Sequence, residues 1–295
     1  MTLEQLRIFV AVAQREHVTQ AAQFLNLTQA AVSASIATLE TQHQVKLFDR
    51  VGRNIALTTA GRLFLVEAQG VLARSEAAQA VLHDYAGLKH GSLTVAASQT
   101  LASYYLPKIV VAFYKLHPGF SIHLQIGNTA QVMRDVMHGT VELGFVEGPL
   151  SGDGLHVEPI AQEHMMIVVS PEHPWAVGQS LSDDDLRGAD WVFREPGSGS
   201  REAFLSALAA RGIDESALNI ALTLPSNEAV REAVAHGAGA ACLSPLVCER
   251  ALAAGVLYKA NWQLPPRLFQ AVRHKERYVS KAAIAFLALA QQQKP

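Results

Sequence analysis

Only two cysteines, Cys242 and Cys248, occur in 295 residues, too few for a disulfide-stapled secreted fold, so a reducing cytoplasm is the expected compartment. No stretch approaches 18 uninterrupted apolar residues, and the sequence predicts no membrane-spanning helix. The opening MTLEQLRIFVAV has Glu4 and Arg7 where a secretion signal needs an unbroken apolar run. The twelve histidines form no HExxH and no Cys/His cluster at zinc spacing, so no metal is expected. There is no Gly-Lys-Ser/Thr phosphate loop and no G-x-S-x-G nucleophile elbow. No catalytic set can be read and no cofactor is expected. Basic charge is scarce: 24 Lys and Arg against 26 Asp and Glu give a net charge of −2. Such a chain is not a general polyanion binder, and any nucleic-acid affinity must come from a local patch.

What is present begins with a balance of 49% hydrophobic and 17% charged residues, enough for a sizeable core in two or three domains. The stretch with the clearest pattern is 18–61. Thr19 is a good N-cap for a helix over 20–25, Asn26-Leu27-Thr28 is a short break, and Thr28 caps a second helix over 29–41. Val32, Ile36 and Leu39 form one apolar stripe, leaving Ala30, Ser33, Ala34 and Ala37 on the opposite face with Gln29 at its leading edge. That face is small and polar enough for a duplex to approach, as the second helix of a helix-turn-helix does. An ordinary two-helix hairpin has the same pattern, but the next segment favours DNA. Over 46–62 four basic residues, Lys46, Arg50, Arg53 and Arg62, face one acid, Asp49, around a tight turn at 50–54 between two short strands. A basic hairpin beside a recognition helix suits phosphate contact.

These residues carry a resemblance. Leu3, Leu6 and Phe9, then Thr19, Ala21, Ala22 and Leu25, then Thr28, Gln29, Ala31, Val32, Ser33, Ile36, Leu39 and Glu40, and then Leu47, Phe48, Arg50, Leu57, Thr58 and Gly61 match the N-terminus of the LysR-type transcriptional regulators over about 60 residues. The resemblance implies a winged helix-turn-helix over 1–58, a linker and dimerisation helix over 59–90, and an effector-binding domain over 91–295. It also implies duplex DNA as a partner and a homo-oligomer, a dimer or dimer of dimers. The candidate DNA-binding residues are Thr28, Gln29, Ala30, Ser33, Arg50, Arg53 and Thr58. This chain departs from the family at Ala30 and Ala34, where members often carry larger residues, and it has no Lys or Arg between Val18 and Gln44. That shifts weight from direct base readout towards phosphate contacts and DNA shape.

Leu3, Leu6, Val10 and Ala13 recur at helical spacing and predict a first helix under this motif. Thr58 or Thr59 caps a long helix over 60–88, along which Phe64, Ala68, Val71, Ser75, Ala78, Leu82 and Tyr85 alternate spacings of four and three. Small residues at 68, 75 and 78 let two such helices approach, which makes this seam the expected dimer contact. From Ser92 the pattern alternates strand and helix: strands at 93–97, 120–126, 141–146, 164–170, 191–194, 220–224, 240–244 and 268–272, with helices at 101–116, 130–138, 200–210, 228–236, near 254 and 281–292. This predicts parallel-type sheets with helices on both faces. The whole is an α+β multidomain chain ending in a bilobal α/β domain like the type 2 periplasmic binding proteins. Lobe I falls at about 92–161 and 267–295, and lobe II at about 162–266.

Ligands of open α/β sheets sit beyond the carboxyl ends of strands, where helix N-termini present free N–H groups. The candidate ligand-binding residues on those loops are Ser98, Thr100, Asn128, Thr129, Glu147, Ser198, Gly199, Ser200, Arg201 and Asn227. Each loop alone reads as a plain helix cap, and the case for a ligand rests on their convergence. GNT, VEGP and REPGSGSR resemble the sulfur-assimilation and carbon-fixation branch of the family, which implies a small oxyanion or an anionic metabolite as effector. The expected function is DNA-binding transcriptional regulation modulated by that effector. The competing reading is a cytoplasmic small-acid-binding enzyme or a solute-binding protein on the same bilobal fold.

Overall fold

Thr2 opens the first helix, α1 (Leu3–Arg15), through a capping box in which its hydroxyl accepts from the Gln5 N–H and the Gln5 side chain accepts from its own N–H. The computed structural model describes residues 1–51, 54–85, 91–150 and 153–293. They fall into two compact units, Met1–Leu82 with His138–Thr140, and His83–Met137 with Val141–Pro295.

In the first unit α2 (Val18–Leu25) is capped by His17, whose Nδ1 accepts from the Gln20 N–H, so Thr19 lies inside the first turn and is not the cap. Asn26 ends α2 in the left-handed region at φ 56°, which a short amide side chain tolerates. Thr28 caps α3 (Gln29–His43), its hydroxyl accepting from the Ala31 N–H at 3.2 Å. An antiparallel hairpin follows, β1 (Phe48–Val51) against β2 (Asn54–Leu57), with Arg50 opposite Ile55. The long helix α4 (Thr59–Tyr85) then starts, capped by the Thr58 hydroxyl on the Gly61 N–H. Arg53 and the expected last turn of the long helix to residue 88 lie outside the described residues.

The core of this unit joins Leu6, Phe9, Ala13, Leu39, Leu47 and Ala68, with the Phe9 ring 5.5 Å from Phe48 and 4.9 Å from Phe64. Here the expected dimer seam needs correction. Ala68 is buried within its own chain, and Phe64 packs beside it, so the start of the seam serves the fold. Exposed apolar positions of α4 among the described residues include Leu63, Val66, Val71, Ala78 and Leu82.

Three contacts converge on residues 46–48. The buried Glu40 carboxylate of α3 accepts from the Leu47 N–H at 2.8 Å, the Phe48 N–H at 3.2 Å and the Lys46 ammonium at 2.7 Å. The Thr58 hydroxyl donates to Lys46 O at 2.8 Å. Gly61 lies so near Leu47 O that a Cβ would sit 2.1 Å from it.

Among the described residues the second unit contains a five-stranded sheet, a three-stranded sheet and a separate two-stranded pair. The first lobe has β3 (Gly91–Ser98), α5 (Leu106–Leu116), β4 (Phe120–Gly127), α6 (Thr129–His138), β5 (Leu143–Glu147) and β6 (Leu155–His164). The second has β7 (Met166–Val169), α7 (Asp183–Gly188), β8 (Asp190–Arg194), α8 (Gly199–Ala209), β9 (Asn219–Leu224), α9 (Asn227–Ala235), β10 (Ala241–Leu243), α10 (Pro245–Ala253) and β11 (Tyr258–Lys259). The chain returns to the first lobe through β12 (Pro266–His274) and closes with α11 (Lys281–Gln292).

The first sheet runs β4-β3-β5-β12-β6 and the second β10-β7-β11, with β8 and β9 paired alongside. Trp191 bridges to Ala240 beside β10. The expected parallel sheets are mixed: β3 is parallel to β4 and β5, but β12 is antiparallel to β5 and β6, and β10 and β11 are antiparallel to β7. The reason is connectivity, since β6 leaves the first lobe and β12 re-enters it in the opposite direction. The expected single helix 101–116 opens as a π-helical turn, Leu101–Tyr105, before α5, because Pro107 has no N–H for the α-helical ladder. Strand β6 escaped the sequence reading, and its Pro159 is tolerated on the sheet edge.

Candidate functional site

Helix α3 offers one of two candidate surfaces. Val32 and Leu39 are buried beneath it, while Gln29, Ala30, Ser33, Ala34 and Ala37 are exposed on its outer side. Thr28 is committed as the cap. Arg50 is exposed on β1. The two other described basic residues of the 46–62 cluster are less available than their number suggests. Lys46 pairs with Glu40, and Arg62 donates to Leu57 O at 2.6 Å. Thr58 both donates to Lys46 O and caps α4, so its hydroxyl is occupied by the fold.

The second surface lies where loops of the two lobes meet. Five helix-opening or strand-ending segments approach: Ser98 and Thr100 after β3, Asn128 and Thr129 at α6, Glu147 at the end of β5, Ser198 to Ser200 at α8, and Asn227 at α9. Two guanidinium groups organise them. Arg267 is 4% exposed on β12; it donates from Nε to Glu163 at 3.1 Å and from Nη1 to the Ser200 hydroxyl at 3.0 Å. It also stands 3.7 Å from the Glu147 carboxylate, to which Ser98 donates. Ser244 completes this group by donating to Glu163 at 2.6 Å. Arg194 donates from Nε and Nη2 to Glu195 and from Nη1 to the Asn227 side-chain oxygen. Asn227 in turn donates to the Thr100 hydroxyl at 3.1 Å.

The lobes touch on both sides of this centre. Gln99 and Tyr104 of the first lobe donate to Glu228 of the second at 3.0 and 2.8 Å, and burial together with that hydrogen bond pushes the Tyr104 hydroxyl up to about 12. Across from them Asn128 donates to Glu195 at 3.3 Å, and the Ala130 N–H donates to Gly197 O at 3.2 Å. Thr129 donates to Glu147 O at 3.1 Å, and a Cβ on Gly199 would sit 2.2 Å from that same oxygen. Only glycine allows α8 to start this close to β5.

Of the ten residues singled out from the sequence, nine belong to this cluster and one turns away. Arg201 donates to Arg194 O at 2.8 Å, pairs with Glu215, and lies over the Phe193 ring. The charges come instead from Arg194 and Arg267, which the sequence reading missed together with Glu163. A signal existed. Arg267, Phe269 and Ala271 occupy the inward positions of β12, so an arginine stands where the alternation calls for an apolar side chain. Burying such a charge is costly unless it is paired, which made a partner carboxylate foreseeable.

Chemically the centre is rich in neutral donors. Both guanidinium groups are balanced by carboxylates. The Thr100 and Ser200 hydroxyls each accept one bond and retain a proton to give. The Ser198 hydroxyl, on a residue 2% exposed, makes no cap hydrogen bond and has no partner among the described residues. The first N–H groups of α8 have no intrahelical acceptor. The nearby thiols take no part: Cys242 and Cys248 are free and buried, and burial pushes both up, Cys248 to about 12, so they stay protonated. Among the described residues no His, Cys, Asp and Glu cluster is arranged to hold a metal ion. No described helix is long and apolar enough to cross a membrane.

Comparison with known proteins covers both units. Residues 3–62 match the model of the bacterial regulatory helix-turn-helix protein, lysR family, and residues 86–295 match the LysR substrate binding domain. The chain is 33% identical over 289 residues to the uncharacterized HTH-type transcriptional regulator YeiE of Escherichia coli K12, covering 97% of this chain and 96% of that protein. It is 30% identical over 290 residues to a probable RuBisCO transcriptional regulator of Cyanophora paradoxa, covering 97% and 90%. The solved structure of full-length CbnR complexed with its target DNA shares the fold, with a TM-score of 0.69, 22% identity and 99% of each chain covered.

Proposed function

The chain belongs to the LysR family of bacterial transcriptional regulators, and on that footing we propose how it binds its two ligands and that it works as a regulator without enzymatic turnover in the cytoplasm. In this reading Gln29, Ala30 and Ser33 of α3 face base edges in the major groove, and Arg50 and Arg53 of the hairpin hold phosphates. Thr28 and Thr58 serve by fixing the two helices. A small oxyanion or anionic metabolite binds between the lobes and shifts the DNA-binding equilibrium. The chain acts as a homo-oligomer, with the exposed Val71, Ala78 and Leu82 of α4 as the pairing face.

One observation carries the effector reading. The start of α8, with its unpartnered Ser198 hydroxyl, lies against the hydroxyl-bearing loops of the first lobe. A helix N-terminus with converging hydroxyls suits an anion through neutral dipoles, which matters because no guanidinium here lacks a carboxylate. For the regulation to work, the effector must bind two conformations with different affinity, and DNA must alter effector affinity by the same factor.

Calorimetry with sulfite, sulfate, phosphate and short carboxylates tests this on the wild type and on Thr100→Val. Removing that hydroxyl while keeping its shape should weaken the anion that binds by about 1.5–3 kcal/mol, the range for a hydrogen bond to a charged group. DNA binding without effector should persist. Equal binding to both proteins would move the site elsewhere, and no binding at millimolar concentration would end the small-anion reading.

A further inference from the structure

The cleft contains one polar atom that a simple anion site should not have. Glu147 is 2% exposed, and its Oε2 accepts from Ser98. Its Oε1 has no hydrogen-bond donor among the described residues, and the nearest cation, Arg267 Nη1, stands at 3.7 Å, beyond hydrogen-bond reach. The same nitrogen donates to the Ser200 hydroxyl at 3.0 Å, so one guanidinium nitrogen joins that carboxylate oxygen to the start of α8. The backbone brings them together as well, since Gly199 abuts Glu147 O. Beside them Ser198, 2% exposed, makes no side-chain cap hydrogen bond.

The cluster therefore has two needs of opposite kind. Ser198, Thr100, Ser200 and the first N–H groups of α8 want an acceptor, while Glu147 Oε1 wants a donor. A fully deprotonated oxyanion satisfies the first and sets its own lone pairs against the carboxylate. Arg267 does not remove that repulsion, because its charge is already shared between Glu147 and Glu163. An oxyanion that keeps one O–H satisfies both, by donating that O–H in a hydrogen bond to Glu147 Oε1.

We infer that the effector is a small oxyanion bearing an O–H, and that Glu147 rejects oxyanions that have none. This rests on the reading of the cleft as the effector site and narrows the ligand class within it. Discrimination here comes from an unpaired lone-pair contact imposed on the wrong ligand, which is more selective than a missing attraction.

The test is calorimetry of the full-length protein with inorganic phosphate and inorganic sulfate at neutral pH, where phosphate keeps a proton and sulfate does not. Phosphate should bind at least tenfold more tightly. In Glu147→Gln the amide can donate to sulfate, and the ratio should fall below threefold. A second pair needs no variant: arsenate, which keeps a proton, should outbind selenate, which does not, on the wild type. Sulfate bound as tightly as phosphate, selenate as tightly as arsenate, or an unchanged ratio in a folded Glu147→Gln protein would overturn the inference while leaving the cleft reading intact. If none of the four anions binds at millimolar concentration, the small-anion reading of the cleft falls, and the inference falls with it.

Discussion

The outer face of α3 and the cleft between the lobes solve opposite recognition problems. Gln29, Ala30 and Ser33 are exposed and uncommitted, and in the proposed reading they fit a large, rigid partner that supplies its own pattern of donors and acceptors. Ser98, Thr100, Glu147, Ser200 and Asn227 are buried and bonded to one another or to an arginine. A partner the size of DNA is met by whatever a surface displays. A ligand of a few atoms is met by what a satisfied network has left over, which in the cleft amounts to a few hydroxyl protons and one carboxylate oxygen. The first site can lose a side chain without harm to the fold. The second is less tolerant, because most of its residues also pair a buried neighbour, Arg267 above all.

The largest expected effect follows from that contrast. Arg267→Ala leaves Glu147 and Glu163 buried without a cation and should cost about 3–5 kcal/mol of stability in denaturant unfolding. Arg50→Ala, on the exposed hairpin, should change stability by no more than about 0.5 kcal/mol. Similar losses in the two variants would erase the distinction between the sites. At the DNA surface, Gln29→Ala should cost about 1–3 kcal/mol on a preferred duplex and relax its sequence preference, as read by competition between duplexes. Arg50→Ala should weaken all duplexes alike and lower the salt-dependence slope by about 1.

The smallest effect is one of pH. Burial raises the Glu40 carboxyl, but hydrogen bonds from Lys46 and from the Leu47 and Phe48 N–H groups outweigh it, and the group ends below its ordinary value. A depressed carboxylate adds stability above the ordinary glutamate range, and that stability is lost as pH falls through its folded value. The acid limb of an unfolding-versus-pH curve should therefore flatten in Glu40→Gln. An unchanged limb would show that Glu40 holds the hairpin by shape alone.

The two regions also differ in how legible they were. Period and capping gave α3 nearly to its last residue, because Thr28 is a local signal and the apolar stripe repeats on one helix. His17 escaped as the α2 cap because Thr19 offered a stronger one by type, and only the backbone chooses between them. In the cleft, nine of ten singled-out residues lie in the cluster, since strand ends and helix starts are local features. The pairings were not legible. Arg267 and Glu163 are 104 residues apart in the chain, and Arg194 and Asn227 are 33 apart. No local pattern joins such positions, although an arginine at an inward strand position announces that a partner exists. Arg201 drew attention by lying in a glycine-rich loop, yet its side chain follows α8 back to Glu215.

Residues 46–48 have a mechanical consequence. The carboxylate of Glu40 grips them from α3, while the Thr58 hydroxyl and the bare Gly61 grip them from α4. Two helices clamped to the same three residues turn as one lever with no slack at the joint. From Glu40 back to Gln29 the helix rises about 16 Å, so a 10° swing about that joint sweeps Gln29 through roughly 3 Å. That is most of the spacing from one base pair to the next along each strand, which is roughly 3.4 Å. On the proposed reading of Gln29 as a base contact, a small rotation of α4 passed through this joint is enough to move it off its register.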